Sequence, residues 1–127
     1  MTPALWAGAV AVEDSRLLLV RGSAPHAGLW SVPAVEVAVD EPLAAAAVRA
    51  VDEVAGAEAV IEGLLGYVED LAAGAHRVLL LFEATVLADA DLAPAATWIG
   101  FEDVADLPVV TGLVELLVER GILRLIA

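Results

Sequence analysis

The sequence predicts an α/β protein, an α/β/α sandwich built on a mixed β-sheet, and three observations carry that expectation. The run Val78-Leu79-Leu80-Leu81-Phe82 is apolar at every position, as a central strand covered on both faces requires. Two segments, residues 43–55 and about 110–120, have helical apolar spacing, and each is followed by a glycine stop, Gly56 and Gly121. Short polar turns separate the remaining apolar runs into hairpins.

The elements follow in order. Residues 5–12 read as a strand, Glu13-Asp14-Ser15 as a tight polar turn, and residues 16–21 as its hairpin partner. A loop with Pro25 and His26 spans 22–28; a lone loop histidine such as His26 reads as a surface residue. Trp30, Val32, Val35, Val37 and Val39 give a β-rich entry to Asp40, Glu41 and Pro42, which form a helix-start signal. In the helix of residues 43–55, about 100° per residue puts Ala44, Ala47, Val48, Val51 and Ala55 on one apolar stripe, with Arg49, Asp52 and Glu53 outside it.

Residues 57–70 and 75–86 read as a second hairpin turning at 71–74. An Asp/Ala-rich loop at 89–96 leads to a short strand at 97–100 and a helical turn at 101–107, ended by Pro108. The final helix shares a face of Leu113, Val114, Leu117 and Val118, and the apolar tail 122–127 finishes the core or packs on a second subunit. Trp30, Leu80, Leu117 and Val51 are expected inside.

A chain of 127 residues with no linker and no repeat fits one domain, 1–127. It has no apolar run near the roughly 20 residues of a membrane span and no basic N-terminal signal region, so a cytoplasmic protein without membrane contact is expected. Without cysteine it has neither disulfides nor thiolate metal sites. Nineteen acidic residues against six arginines give a net charge of −13, which disfavours nucleic-acid polymers as partners. A phosphorylated ligand would need a divalent ion or placed arginines to offset that repulsion, and Arg21, Arg49 and Arg77 are the candidates.

The loop and helix from Val35 to Ala57 resemble the signature of the Nudix hydrolases. Glu41, Arg49, Val51, Glu53 and Gly56 stand at the family's spacing. Val35 replaces the signature's first glycine, Ala50 and Val54 replace two of its glutamates, and Ala57 is a weak final aliphatic. RLLLVRG and GLWSVP before this stretch and TWIGFEDVADLP after it look like the flanking Nudix segments in order. The resemblance covers nearly the whole chain and implies a Nudix-like α/β/α sandwich. It also implies hydrolysis of a nucleoside diphosphate linked to another group, with Mg²⁺ or Mn²⁺ held by the box glutamates.

Several metal charges must offset phosphate oxygens and activate water, so carboxylates have to converge. Positions 50, 53 and 54 lie within about 100° on a helical wheel, whereas Asp52 points roughly 160° away from 50 and 54. By resemblance Glu53 is the catalytic and metal-binding residue and Glu41, Arg49 and Gly56 brace the box; on the charge argument Arg21 and Arg77 contact substrate. Arg49 one turn earlier gives Glu53 a structural reading as well. Glu69, Asp70, Glu102 or Asp103 are the loop carboxylates available to replace the lost glutamates. Restoring glutamate at both 50 and 54 is expected to raise metal affinity.

Three readings stay open on sequence grounds. One is a Nudix-fold protein with a degenerate box and little hydrolysis, acting as a binder of a small, nucleotide-like ligand or as an interaction module. Another is an active Mg²⁺- or Mn²⁺-dependent hydrolase with substituted ligands; the third is an assembly subunit only. The apolar composition and tail favour a homodimer over a monomer.

Overall fold

The computed structural model describes residues 3–22, 28–71, 75–88 and 92–123. Strand β1 (Ala4–Glu13) turns into β2 (Arg16–Arg21) through Asp14 and Ser15, with φ of 52° and 59°. Two consecutive left-handed residues make a turn whose twist matches the flanking strands, and Glu13 accordingly lies opposite Arg16. The β-rich entry expected from Trp30 onward is split: β3 (Trp30–Ser31) pairs with β2, β4 (Ala34–Glu36) pairs with β1, and Pro33 stands between them without an N–H to give to a ladder.

Helix α1 (Leu43–Ala50) runs on into a π-helical segment, Val51–Ala55. Then come β5 (Glu58–Asp70), β6 (Arg77–Ala88), β7 (Ala96–Gly100), α2 (Phe101–Val104) and α3 (Leu113–Glu119). The strands form one sheet in the order β3-β2-β1-β6-β5, with β4 also on β1 and β7 also on β2. β1 and β6 run parallel from Ala4 opposite Arg77 to Ala11 opposite Ala84, while β1 with β2 and β5 with β6 are antiparallel, so the sheet is mixed.

Alternation along β1 and β6 sends side chains to two separate cores. On one face Ala46 and Ala47 of α1 meet Ala7 and Phe82, and Val51 and Ala55 meet Ala9, Ala11 and Leu18. On the other, Val104, Leu113 and Leu117 of α2 and α3 cover Val10, Leu17, Leu19, Leu79 and Leu81. The run Val78–Phe82 within β6 is thus apolar because helices cover both of its sides, as the sequence predicted. Leu117 is buried, and Trp30 and Leu80 are half-buried.

The rotation of α1 differs from the expected stripe. Ala47, Val51 and Ala55 are buried as expected, but Ala44 and Val48 are exposed and Ala46 and Ala50 take inner positions instead. In LAAAAVRA nearly every side chain is apolar, so the helical period carries little contrast. α3 begins at Leu113 because the preceding residues are held extended: Val109 bridges to Trp30 and the Val110 N–H donates to the Trp30 carbonyl at 3.0 Å. Its end falls as expected before Gly121, whose φ is +76°.

His26 and Pro25, the turn at 72–74, the acidic stretch at 89–91 and the tail beyond 123 lie outside the described residues. No described helix is long and apolar enough to cross a membrane.

Candidate functional site: the loop and helix clamped by Arg49

The loop between β4 and α1 is drawn tight by its own backbone. Val37 N–H donates to the Leu5 carbonyl at 2.9 Å, Glu41 N–H donates to the Ala38 carbonyl at 3.1 Å, and Asp40 takes a left-handed φ of 61°. That return brings Glu41 Oε1 to 3.0 Å from the Ala38 N–H. Pro42 has no side chain that could cap the helix and does not; its carbonyl accepts the first helical bond from Ala46 at 3.0 Å.

From the second turn of α1, Arg49 reaches back over this loop. Its Nε and Nη2 donate to the two oxygens of Glu41 at 2.9 and 3.0 Å, the parallel fork that gives arginine its geometric preference for carboxylates. Nη2 also donates to the Glu36 carbonyl at 2.9 Å, at the end of β4, and Nη1 to the Glu53 oxygens at 3.0 and 3.3 Å. One planar cation therefore ties the end of a strand, the loop and the next helical turn. The hydrogen bond from Arg49, with that from the Ala38 N–H behind it, holds the Glu41 carboxyl below the usual carboxylate range. Glu41 and then Glu53 hold the Arg49 proton more firmly than usual in turn.

The helix widens beyond this clamp. Val51–Ala55 is π-helical and ends on Gly56, whose φ of 71° is a left-handed conformation that costs a side-chain-bearing residue more than glycine. The widened turn winds less per residue than an α-helix, so the 100° wheel misplaces positions beyond 51.

The replaced box positions do not share a surface. Ala50 is 0% exposed and Val54 packs half-buried against the core that contains Val51 and Ala55. Glu53 alone faces outward, with 47% of its side chain exposed and both oxygens on Arg49. Val35 lies in β4 opposite Ala7 and packs beside Ala46 and Ala47, so it is sheet rather than loop. One carboxylate already balanced by a guanidinium does not fit the ion cluster that the box glutamates of a Nudix enzyme hold. Among the described residues, no group of three or more His, Cys, Asp or Glu is placed to bind a metal. A glutamate introduced at position 50 would enter packed core, so the expected gain in metal affinity from restoring 50 and 54 does not follow from this geometry.

The other candidate residues are dispersed. Arg21 is exposed at the end of β2, opposite Trp30. Arg77 starts β6, and its Nη1 lies 3.2 Å from Asp70 Oδ2 across the strand pair; β1 separates β2 from β6. Beside it His76 Nε2 is 2.6 Å from Glu69 Oε2, so both hairpin carboxylates have basic partners. Glu102 and Asp103 open α2, which packs by Val104 on the sheet face opposite α1. Sequence reasoning missed the Glu36 carbonyl and the Ala38 N–H as parts of the clamp. The available signal was donor arithmetic, since a guanidinium carries five N–H groups and one carboxylate takes two of them.

A mixed sheet between helices, with a loop and helix inserted between two strands and clamped across by one arginine, defines a class of small α/β/α domains. Comparison with known proteins makes the class specific. The NUDIX domain model matches residues 3–117, and the chain belongs to the Nudix family. Among solved structures it is similar to a MutT NUDIX hydrolase from Burkholderia pseudomallei, at 29% identity and a TM-score of 0.75, covering 92% of this chain and 97% of that one. A NUDIX hydrolase from Nitrosomonas europaea shares the fold at 22% identity and a TM-score of 0.80, over 94% and 88% of the two chains. So does the NUDIX domain of Shewanella oneidensis NrtR complexed with ADP ribose, at 23% identity and a TM-score of 0.72, over 95% and 87%. No curated protein sequence matches the chain.

Proposed function

We propose that this Nudix-family chain, acting as a single cytoplasmic domain, binds a small nucleotide-like ligand and has little or no pyrophosphohydrolase activity. The observation that carries the reading is the state of Glu53: of the three glutamate positions on the box helix it is the one that keeps its carboxylate, and Arg49 Nη1 hydrogen-bonds both of its oxygens. The ligand class is drawn from the fold, since the NUDIX domain of the Shewanella protein is complexed with ADP ribose. In this reading Glu41, Arg49 and Gly56 keep the loop and helix in shape, and Arg21 and Arg77 are the proposed phosphate contacts.

A homodimer belongs to the same reading. β5 is the sheet edge beyond β6 and exposes Leu64 and Tyr67 at 64% and 63%, and edge strands of this kind are commonly covered by a second copy. Light scattering that returns a monomer mass across micromolar concentrations contradicts that part.

The deciding experiment pairs calorimetry with a turnover assay on ADP-ribose and other nucleoside diphosphate derivatives, each with Mg²⁺ or Mn²⁺. Binding with background hydrolysis is expected. Turnover on the order of 1 per second, abolished by Glu53→Gln, overturns the reading and makes Glu53 the metal ligand or base of an active hydrolase.

A further inference from the structure

On the sheet face opposite α1, a cleft of about 300 Å³ opens where β1 and β6 end, between the start of α2 and the residues that follow α3. Its apolar lining is Val10, buried at the floor, with Val12, Phe101 and Ile122 around it. Its polar lining is Glu83 and Thr85. Leu79 and Leu81 point into the core on this side of β6, so alternation puts Glu83 and Thr85 on the same side, where the cover given by α3 runs out. Across the ladder from Glu83 stands Gly63, where an added Cβ would meet nothing within 4 Å, so that flank of the carboxylate is open.

The hydrogen-bonding polarity of the cleft is one-sided. Thr85 Oγ1 donates its single hydrogen to Glu62 Oε1 at 2.8 Å, which leaves only lone pairs for anything else. Glu83 offers carboxylate oxygens, also acceptors. Arg120 is directed elsewhere: its Nε lies 3.6 Å from where a Cβ on Gly66 would sit, and it does not line the cleft. A cleft with acceptors at one end and aliphatic and aromatic walls at the other matches a ligand with N–H donors, a positive charge and an apolar body.

We infer that this cleft binds a small organic cation, a primary ammonium group on a short alkyl chain, with the ammonium on Glu83 and Thr85 and the chain against Val10, Val12, Phe101 and Ile122. A divalent metal ion is a poor fit, because Glu83 is the one carboxylate of the lining and most of that lining is carbon. Anions are repelled by Glu83 and by the net charge of −13. A neutral apolar molecule would strip water from the carboxylate with no compensating bond. The cleft lies on the opposite face of the sheet from α1, so this inference is independent of the reading of the box.

The test is an amide chemical-shift titration of the whole protein with butylammonium chloride, with sodium butyrate and 1-butanol as controls at matched ionic strength. Saturating shifts centred on Val12, Thr85, Gly121 and Ile122 are expected with the amine alone. Glu83 is exposed, so Glu83→Gln keeps the fold, and it weakens the amine about tenfold, the loss of one charge-assisted contact. Val12→Trp, at a half-open position on the rim, fills the cleft and removes the shifts. The inference is overturned if butyrate or butanol gives the same pattern, if Glu83→Gln binds the amine as the parent does, or if the amine produces no saturating shift.

Discussion

Arg49 and Glu53, one helical turn apart, are joined through both carboxylate oxygens, at 3.0 and 3.3 Å. At an exposed position such a pair stabilises a helix by only a few tenths of a kcal/mol. Its larger effect is on charge, since the guanidinium offsets the negative charge with which Glu53 would attract a metal ion. The same guanidinium is also held by Glu41 and by the Glu36 carbonyl, so it cannot swing away without opening the loop.

Arg49→Lys keeps the charge and loses the fork to Glu41, and it should lower the melting temperature by about 4 °C. Glu53→Gln removes only the outermost contact and should lower it by no more than about 1 °C. Thermal melts of the two variants check the order. Equal losses would mean that Glu53 carries as much of the clamp as Glu41 does.

The folded-state pKa of Glu41 lies below its ordinary value of 4.5, first because of Arg49 and then because of the Ala38 N–H. A depressed carboxylate contributes stability that is present above the unfolded pKa and is lost as pH falls through the folded one. The stability difference between the parent and Glu41→Gln should therefore be flat above about pH 5 and shrink toward more acidic pH. Urea melts of both proteins from neutral pH downward measure it, and the comparison cancels the general relief of negative charge that acid brings. A difference that grows on acidification contradicts the clamp.

Ala50 is fully buried and Val54 half-buried, so the two positions should respond differently to glutamate. Ala50→Glu is expected to destabilise by about 3 kcal/mol, as an uncompensated carboxyl entering packed core does. Val54→Glu is expected to cost about 1 kcal/mol, because its side chain can reach water. Urea midpoints read both, and Mn²⁺ should not restore the Ala50→Glu loss.

Gly56→Ala should cost about 1 kcal/mol, the penalty of a Cβ at a left-handed φ, and Gly56→Asn less. Calorimetric melts check the ranking; an unchanged Gly56→Ala protein would mean that the helix end reorganises freely.

Much of the fold could be read from residues whose chemistry favours one structural role. Gly56 and Gly121 ended their helices as expected, Asp14 and Ser15 made the tight turn, and the uninterrupted apolar run Val78 to Phe82 announced a strand covered on both sides. The rotation of α1 could not be read, because a helix of alanines looks alike from every side and only packing on β1 chooses its inner face. At the candidate site the resemblance to the Nudix box paired Glu41 with Arg49, and helical spacing paired Arg49 with Glu53. The π-helical widening after Ala50 and the backbone groups of Glu36 and Ala38 have no side-chain signature, and they decide where Glu53 points.

The alanine seam between α1 and the sheet limits which residues position 50 can hold. Ala46 and Ala47 sit on Ala7, and Val51 and Ala55 sit on Ala9 and Ala11, while Ala50 between them has no exposed surface. A glutamate at position 50 would cost stability before any ion could arrive to offset the loss. Accepting it would require the helix to be lifted first by substitutions elsewhere in the seam, so the close-packed alanines and an acid at position 50 exclude one another.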